Sequence, residues 1–404
     1  MIWRGSSFSW DAAQAKRTAI SKSSEPHLEN YDGGSLVSPA LDPHILDDVI
    51  HPYLGYVLDP TTQSGISDHG FPTEESFTPT AATNDQKIVI GIFGGSFAIG
   101  TSHLARSVLL EQIQRIPRFR DKECIVHTLA LPGYKQPQQL VALSYFLSLG
   151  AHFDVVINLD GFNEVALPAS ENIPKQVFPF FPRAWFGRVH TLRRPELLAM
   201  IGQLALLQEK RQSWALISSR IPFRYHVLSN VLWEYYDARL ARQRTDLRLA
   251  LNRYEIKSKD RLSYLVTGPS FDYQNKAALY DDLTNVWLRS SIQMHKLSGA
   301  NDVEYFHFLQ LNQSLAGSKP MTTEERRVAV LENEPYREGV ERGYPLLIEA
   351  GKELRQQGIR FHDLTMLFAN HDEQLYIDSC CHLNERGYGM IAEAMGKVLY
   401  EELR

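Results

Sequence analysis

Hydrolysis of an ester at a serine needs a nucleophile, a base to take its proton, a group that orients the base, and donors for the oxyanion. The 404-residue chain offers a residue type for each task. Ser96 stands in GGSFA, where an apolar run ends abruptly at Gly94 and Gly95. Gly133 stands in LPGY, where a backbone N–H can face a ligand with no side chain in the way. Asn163 stands in DGFNE and brings a side-chain amide donor. Among the 14 histidines, His382 is set apart by Asp378 close before it and by helical text after it. Singly, each signal is weak. Gly-Gly-Ser after a strand reads equally well as a tight turn with a phosphate on the next helix N-terminus. A lone histidine is usually a surface or satisfied core residue, and an asparagine after a strand is usually part of a turn.

The elements around these residues supply the missing specificity. Residues 88–93 are short, rich in β-branched side chains and bounded by polar residues and glycines, which predicts a buried parallel strand. Leu104, Val108, Leu109, Ile113 and Ile116 then recur at helical spacing, with Thr101 or Ser102 available as N-cap. Residues 123–131 and 153–159 read as further strands, separated by a helix over about 136–150. Ser96, Gly133 and Asn163 thus fall at the carboxyl ends of three successive strands, where open α/β sheets bind ligands. Residues 165–300 interrupt the rhythm with a Pro-rich aromatic loop and long helical patterns over 195–251 and 275–297, expected as a helical insertion or lid. WALIS at 214–218 is expected to be helix. Strands over 303–310 and 360–368 follow, with a helix over 336–357 between them and a closing helix carrying Ile391, Met395, Val398, Leu399 and Leu403 on one face. Alternation of this kind implies a parallel sheet with right-handed crossovers.

The first 45 residues have no clear period and are expected to be a poorly ordered arm. Residues 46–86 read as an extended, turn-rich segment packed on the main domain. Its aromatics Tyr53, Tyr56 and Phe71 either line a substrate cleft or pin the segment down, the second being favoured. Residues 87–164 and 301–404 form the main domain.

A net charge of −5 leaves no basic face for gripping nucleic acid. The basic stretch over 239–253 is interleaved with acids and apolar residues, as on a solvated helix face. Hydrophobic residues make up 44% and charged residues 22%, which excludes disordered and collagen-like classes. Cys124, Cys380 and Cys381 are too few for a disulfide framework and match no zinc spacing. The adjacent pair reads as two ordinary thiols. No apolar run approaches the roughly 20 residues that span a bilayer. Nothing at the N-terminus has the form of a signal peptide. The compartment is left open between the cytoplasm and an exported chain lacking its signal or anchor.

Four blocks in this order, GGSFA, LPGY, DGFNE and DSCCHLNERGY, resemble the SGNH hydrolases, also called the GDSL esterase/lipase superfamily. The resemblance covers residues 87–163 and about 303–404. It implies a flavodoxin-like three-layer α/β/α sandwich with a five-stranded parallel sheet, Ser96 as nucleophile and His382 as general base. Ser96 N–H, Gly133 N–H and the Asn163 side chain would form the oxyanion hole, with no metal or cofactor. The implied activity is hydrolysis of an acyl ester on a small-molecule or carbohydrate carrier. An acyltransferase using the same site and a non-catalytic flavodoxin-like binding module are the alternatives. Two departures stand out. Gly95 occupies the place of the family's Asp, which leaves the nucleophile in place. The family spaces acid and base as D-x-x-H, whereas three residues separate Asp378 from His382 here, so a bulged loop carries Asp378 to the base or the pair reduces to a Ser–His dyad oriented by a carbonyl or by Asp372.

Overall fold

From Ile88 to Gly94 every residue of strand β1 (Lys87–Gly94) is buried, as a central strand covered on both faces requires. The computed structural model describes residues 2–3, 6–7, 9–21, 48–62, 64–73, 86–190, 195–220, 223–252, 263–331 and 334–404. β1 pairs in parallel with β2 (Glu123–Ala130) along its whole length and with β3 (Val155–Asp160) on its other side. β3 pairs with β4 (Glu304–Leu309), and β4 with β5 (Arg360–Asp363), again in parallel. The sheet order is β2-β1-β3-β4-β5. This is the flavodoxin order, in which the strand sequence reverses direction between β1 and β3.

Helices cover both faces. One layer holds α1 (Ser96–Leu104), α2 (Arg106–Gln114) and α7 (Glu385–Leu403). The other holds α3 (Gln138–Ser148), α4 (Phe162–Leu167), α5 (Lys276–Gly299) and α6 (Arg337–Gln356). The protein is therefore a three-layer α/β/α sandwich on a five-stranded parallel sheet, as the sequence predicts. Local signals fix the helix starts: Asn275 caps α5 by accepting from the Ala278 N–H, and Asn384 caps α7 by accepting from the Gly387 N–H. The fifth strand stops at Asp363, short of its expected end, because Asp363 turns the chain by accepting the Thr365 N–H.

The turn-rich segment contains an antiparallel hairpin, Asp48–His51 with Gly55–Leu58. Tyr56 and Phe71 are in the core of the sheet unit, whereas Tyr53 is 70% exposed. Residues 74–85 of this segment lie outside the described residues.

Two expectations about the helical text are corrected. The chain divides into two compact units, and residues 165–185 and 264–300 belong to the sheet unit rather than to an insertion. The reason is α5, whose Trp287 is buried and donates to Asp160 at the end of β3, so this helix is one of the covering layers. Of the described residues, 186–190, 195–220, 223–252 and 263 instead group with 9–21 and with 61, 62 and 64. Within that second unit, helix Trp10–Ser21 packs on helix Pro195–Ser219, so this part of the expected arm is ordered. Helix Trp10–Ser21 buries Ala13 and Ile20, the latter in an apolar cluster with Ala215 and Trp233, and between them it buries a cation. Arg17 donates to Ser218 Oγ at 3.0 Å and to Asn230 Oδ1 at 2.5 Å, and its guanidinium lies 4.3 Å from the centre of the Trp233 ring. Lys16 and Arg211 converge on Asp237 at 3.0 and 2.8 Å. Residues 22–45 of the arm lie outside the described residues. WALIS is helical, inside Pro195–Ser219. Among the described residues no helix is long and apolar enough to cross a membrane.

Candidate active site

α1 begins on Ser96 itself. Gly95, in an extended conformation, is its N-cap. Thr101 and Ser102 are mid-helix and bond back to Phe97 O and Ile99 O, so neither is the cap the spacing suggested. Starting the helix on Ser96 sets its N–H among the first-turn donors that have no acceptor within the helix. It also sets Ser96 at the crevice between β1 and β3, the switch point where this topology binds ligands.

His382 reaches Ser96 from the loop before α7, with Nε2 2.8 Å from Ser96 Oγ. Its other ring nitrogen, Nδ1, is 2.5 Å from Asp378 Oδ2. The additional residue between acid and base is absorbed by the acid itself. Asp378 Oδ1 accepts the backbone N–H groups of Cys380, Cys381 and His382 at 3.0, 3.1 and 3.1 Å, so the loop curls around the carboxylate. The imidazole is oriented by Asp378, and the alternative through Asp372 does not hold. Burial opposes a charge on the His382 ring, but the hydrogen bond to Asp378, the nearby Cys380 and the Asp378 charge outweigh it and hold the imidazole up at about 9. Burial pushes the Asp378 carboxyl up, and the bonds from His382 and the loop N–H groups bring it below its ordinary value. Outside the loop, the buried pair Lys319–Glu325 at 2.8 Å braces it, with Glu325 accepting the N–H groups of Leu375 and Tyr376.

Asn163 sits in the first turn of α4, directly after β3. Its Nδ2 donates one proton to Tyr134 O at 2.7 Å, which leaves the second amide proton to be donated elsewhere. The amide lies hard against Gly95: a Cβ built there would stand 2.2 Å from Asn163 Nδ2. A side chain at 95 would oblige this amide to move, so Gly95 and the present position of Asn163 go together. Gly133 has φ +79°, and a Cβ on it would come within 2.2 Å of Arg183 Cδ. Both constraints favour glycine there.

Several residues without a sequence signal complete the surroundings. Arg183 lies over Gly133, its Nε 3.1 and 3.2 Å from the two Glu171 oxygens, and Tyr336 OH donates to Glu171 Oε1 at 3.1 Å. The hairpin buttresses the Gly133 loop, since Tyr56 OH donates to Pro132 O at 2.6 Å and Tyr134 OH donates to Tyr56 O at 2.5 Å. Glu164 does have a signal, three residues after the helix-capping Gly161. Its carboxylate accepts Gly161 N–H at 2.8 Å and Gln136 N–H at 2.9 Å, tying the loops after β2 and β3 together. Burial and the neighbouring Asp160 push Glu164 up to about 8, against the pull of those N–H groups. Lys135 is buried beside it and donates to Phe181 O; burial takes its amine down to about 7 although Glu164 and Glu171 favour the charge.

No family model matches the chain. No curated protein sequence matches it either. The likeness to SGNH hydrolases accordingly rests on the four sequence blocks and on where the fold puts them.

Proposed function

We propose that the protein is a serine ester hydrolase of the SGNH type. The observation that carries this reading is the hydrogen-bonded chain Asp378–His382–Ser96, with both heavy-atom distances within direct proton-transfer reach, at the β1/β3 switch point. A turn that only binds phosphate has no use for an imidazole on its serine, still less for one oriented by a buried carboxylate.

In this reading Ser96 Oγ attacks the substrate carbonyl as His382 Nε2 takes its proton. Asp378 holds Nδ1–H, fixing the tautomer and stabilising the imidazolium as it forms. The oxyanion is met by the Ser96 N–H, the Gly133 N–H and the free amide proton of Asn163, donors preset before charge develops. Collapse breaks the ester bond, and the imidazolium returns the proton to the departing alcohol. Water then attacks the acyl-serine with His382 as base and releases the acid. The chemistry runs on the chain's own residues and calls on no cofactor. Arg183, Glu171 and Tyr336 make the neighbouring wall polar, which suits an acyl group carried on a hydroxylated molecule such as a carbohydrate.

The test is active-site labelling with a fluorophosphonate, which reports an activated serine without the natural substrate. Labelling at Ser96 that is lost in Ser96→Ala and in His382→Ala is the expected result. An unlabelled wild-type protein, with no turnover of short acyl esters, overturns the proposal.

A further inference from the structure

Cys380 and Cys381 lie between the acid and the base, and the proposed chemistry uses neither side chain. Their sulfurs are 3.9 Å apart and no disulfide joins them. One ligand atom from each of Cys380, Cys381 and His382 lies within 4.8 Å of the others. A tetrahedral ion with metal–sulfur bonds near 2.3 Å holds two thiolates about 3.8 Å apart. The two thiols already have that separation. Sulfur and imidazole nitrogen on such an ion are about 3.5 Å apart, so side-chain rotation is the adjustment needed. Spacing rules miss the cluster because three consecutive ligands match no zinc motif. The loop brings them together by curling its backbone N–H groups onto Asp378 Oδ1.

We propose that Cys380, Cys381 and His382 form a capture site for a thiophilic divalent cation such as Zn²⁺, and that capture switches the hydrolase off. On binding, two sulfur–metal bonds form and the two thiol protons leave to solvent; the imidazole binds through a ring nitrogen, and a water completes the tetrahedron. Both ring nitrogens are already engaged, Nδ1 with Asp378 and Nε2 with Ser96. An ion that recruits the imidazole must break one of these bonds, so it removes either the orientation of the base or the base itself. The half-buried Cys380 is the side from which the ion enters, since Cys381 is only 1% exposed.

The inhibitory half of this proposal rests on the hydrolase reading, whereas the binding half does not. Full-length protein, kept reduced and freed of metal, is titrated with Cd²⁺ while the ultraviolet thiolate-to-cadmium charge-transfer band is recorded. The same sample is titrated with Zn²⁺ while a short ester is hydrolysed. Expected are one equivalent of Cd²⁺ per chain, full loss of turnover at one equivalent of Zn²⁺, and recovery with a chelator. Cys380→Ser alone keeps every backbone bond to Asp378 and should bind Cd²⁺ at least about tenfold more weakly. Cys380→Ser/Cys381→Ser should lose the band, and the turnover it has should be insensitive to one equivalent of Zn²⁺. Cys124→Ser should behave as wild type. Absence of the band, or a band unchanged in the double variant, overturns the site. A band with turnover unaffected by Zn²⁺ overturns the switch. A band in a protein that hydrolyses no ester supports the site and defeats the hydrolase reading instead.

Discussion

A single methyl group at position 95 should disable the oxyanion hole while leaving Ser96, His382 and Asp378 untouched. In Gly95→Ala the new Cβ would start 2.2 Å from Asn163 Nδ2, about 1.2 Å inside the 3.4 Å at which ordinary contact begins. The backbone does not object, because Gly95 has φ −97° and ψ −156°, a conformation that alanine adopts freely. The strain therefore falls on the Asn163 amide, which must swing away and give up its 2.7 Å bond to Tyr134 O. A displacement of about 1 Å in a catalytic group costs roughly 10²-fold, and complete loss of an oxyanion donor costs roughly 10²- to 10³-fold. Turnover of a short acyl ester should fall by about 10²-fold in kcat, with KM and the thermal unfolding midpoint nearly unchanged. Asn163→Ala should fall by a similar or larger factor. In the double variant the clash has nothing to act on, so Gly95→Ala/Asn163→Ala should be no slower than Asn163→Ala alone. Gly95→Ala turning over within about threefold of wild type would sink this account, as would a double variant in which the two losses multiply.

Other outcomes follow from the same geometry. Ser96→Ala and His382→Ala should abolish ester turnover, and Asp378→Asn should lower it at least about a hundredfold without unfolding the protein, as circular dichroism would show. Because the imidazole must be neutral to accept the Ser96 proton and is held up at about 9, kcat/KM should rise with pH to a midpoint near 9. Asp378→Asn removes the charge that holds it there, so the residual activity should titrate at lower pH; an unmoved midpoint would show that another group controls the profile. The raised imidazole also favours the folded state below its ordinary value near 6.5, a contribution lost as pH climbs through about 9. In the core, Asp160 accepts Trp287 Nε1, His307 Nε2 and Asn158 Nδ2 at 2.7, 2.8 and 2.8 Å while 2% exposed. Asp160→Ala strands those donors and should destabilise the protein by about 3–5 kcal/mol, read by chemical denaturation.

What the sequence made legible was whatever a short stretch encodes by itself. The first three strands announce themselves as apolar runs bounded by glycine or polar residues, the fourth and fifth are legible with their bounds overrun, and the alternation with helices implies the parallel sheet. Ser96, Gly133, Asn163 and His382 were visible because each follows a break in such a run or precedes a helical period. Residues whose role depends on a distant partner were not. α5 carries helical text like that of 195–251, and it is contacts such as Trp287 with Asp160, 127 positions away, and Ser291 with His307 that show it covers the sheet. Helix Trp10–Ser21 was missed because Arg17 holds it, and a cation buried under Trp233 looks in sequence like any surface arginine.

The acid–base spacing shows where such reading must fail. D-x-x-H and D-x-x-x-H differ by one residue, and counting residues treats that as a misplaced carboxylate. The loop is set by hydrogen bonds rather than by count. Asp378 Oδ1 gathers three successive N–H groups, and this curl turns the additional residue inward, leaving Oδ2 free for His382 Nδ1. One carboxylate thus does two things, shaping the loop with one oxygen and orienting the base with the other. Asp378→Asn separates them: an amide oxygen can still accept the loop N–H groups, but its NH₂ presents a donor to Nδ1–H. The loop should stay folded while the imidazole loses its orientation, so the variant should unfold near the wild-type temperature while hydrolysing esters poorly. A variant that loses stability and activity together would mean that the curl depends on charge, and the two roles of Asp378 would then be one.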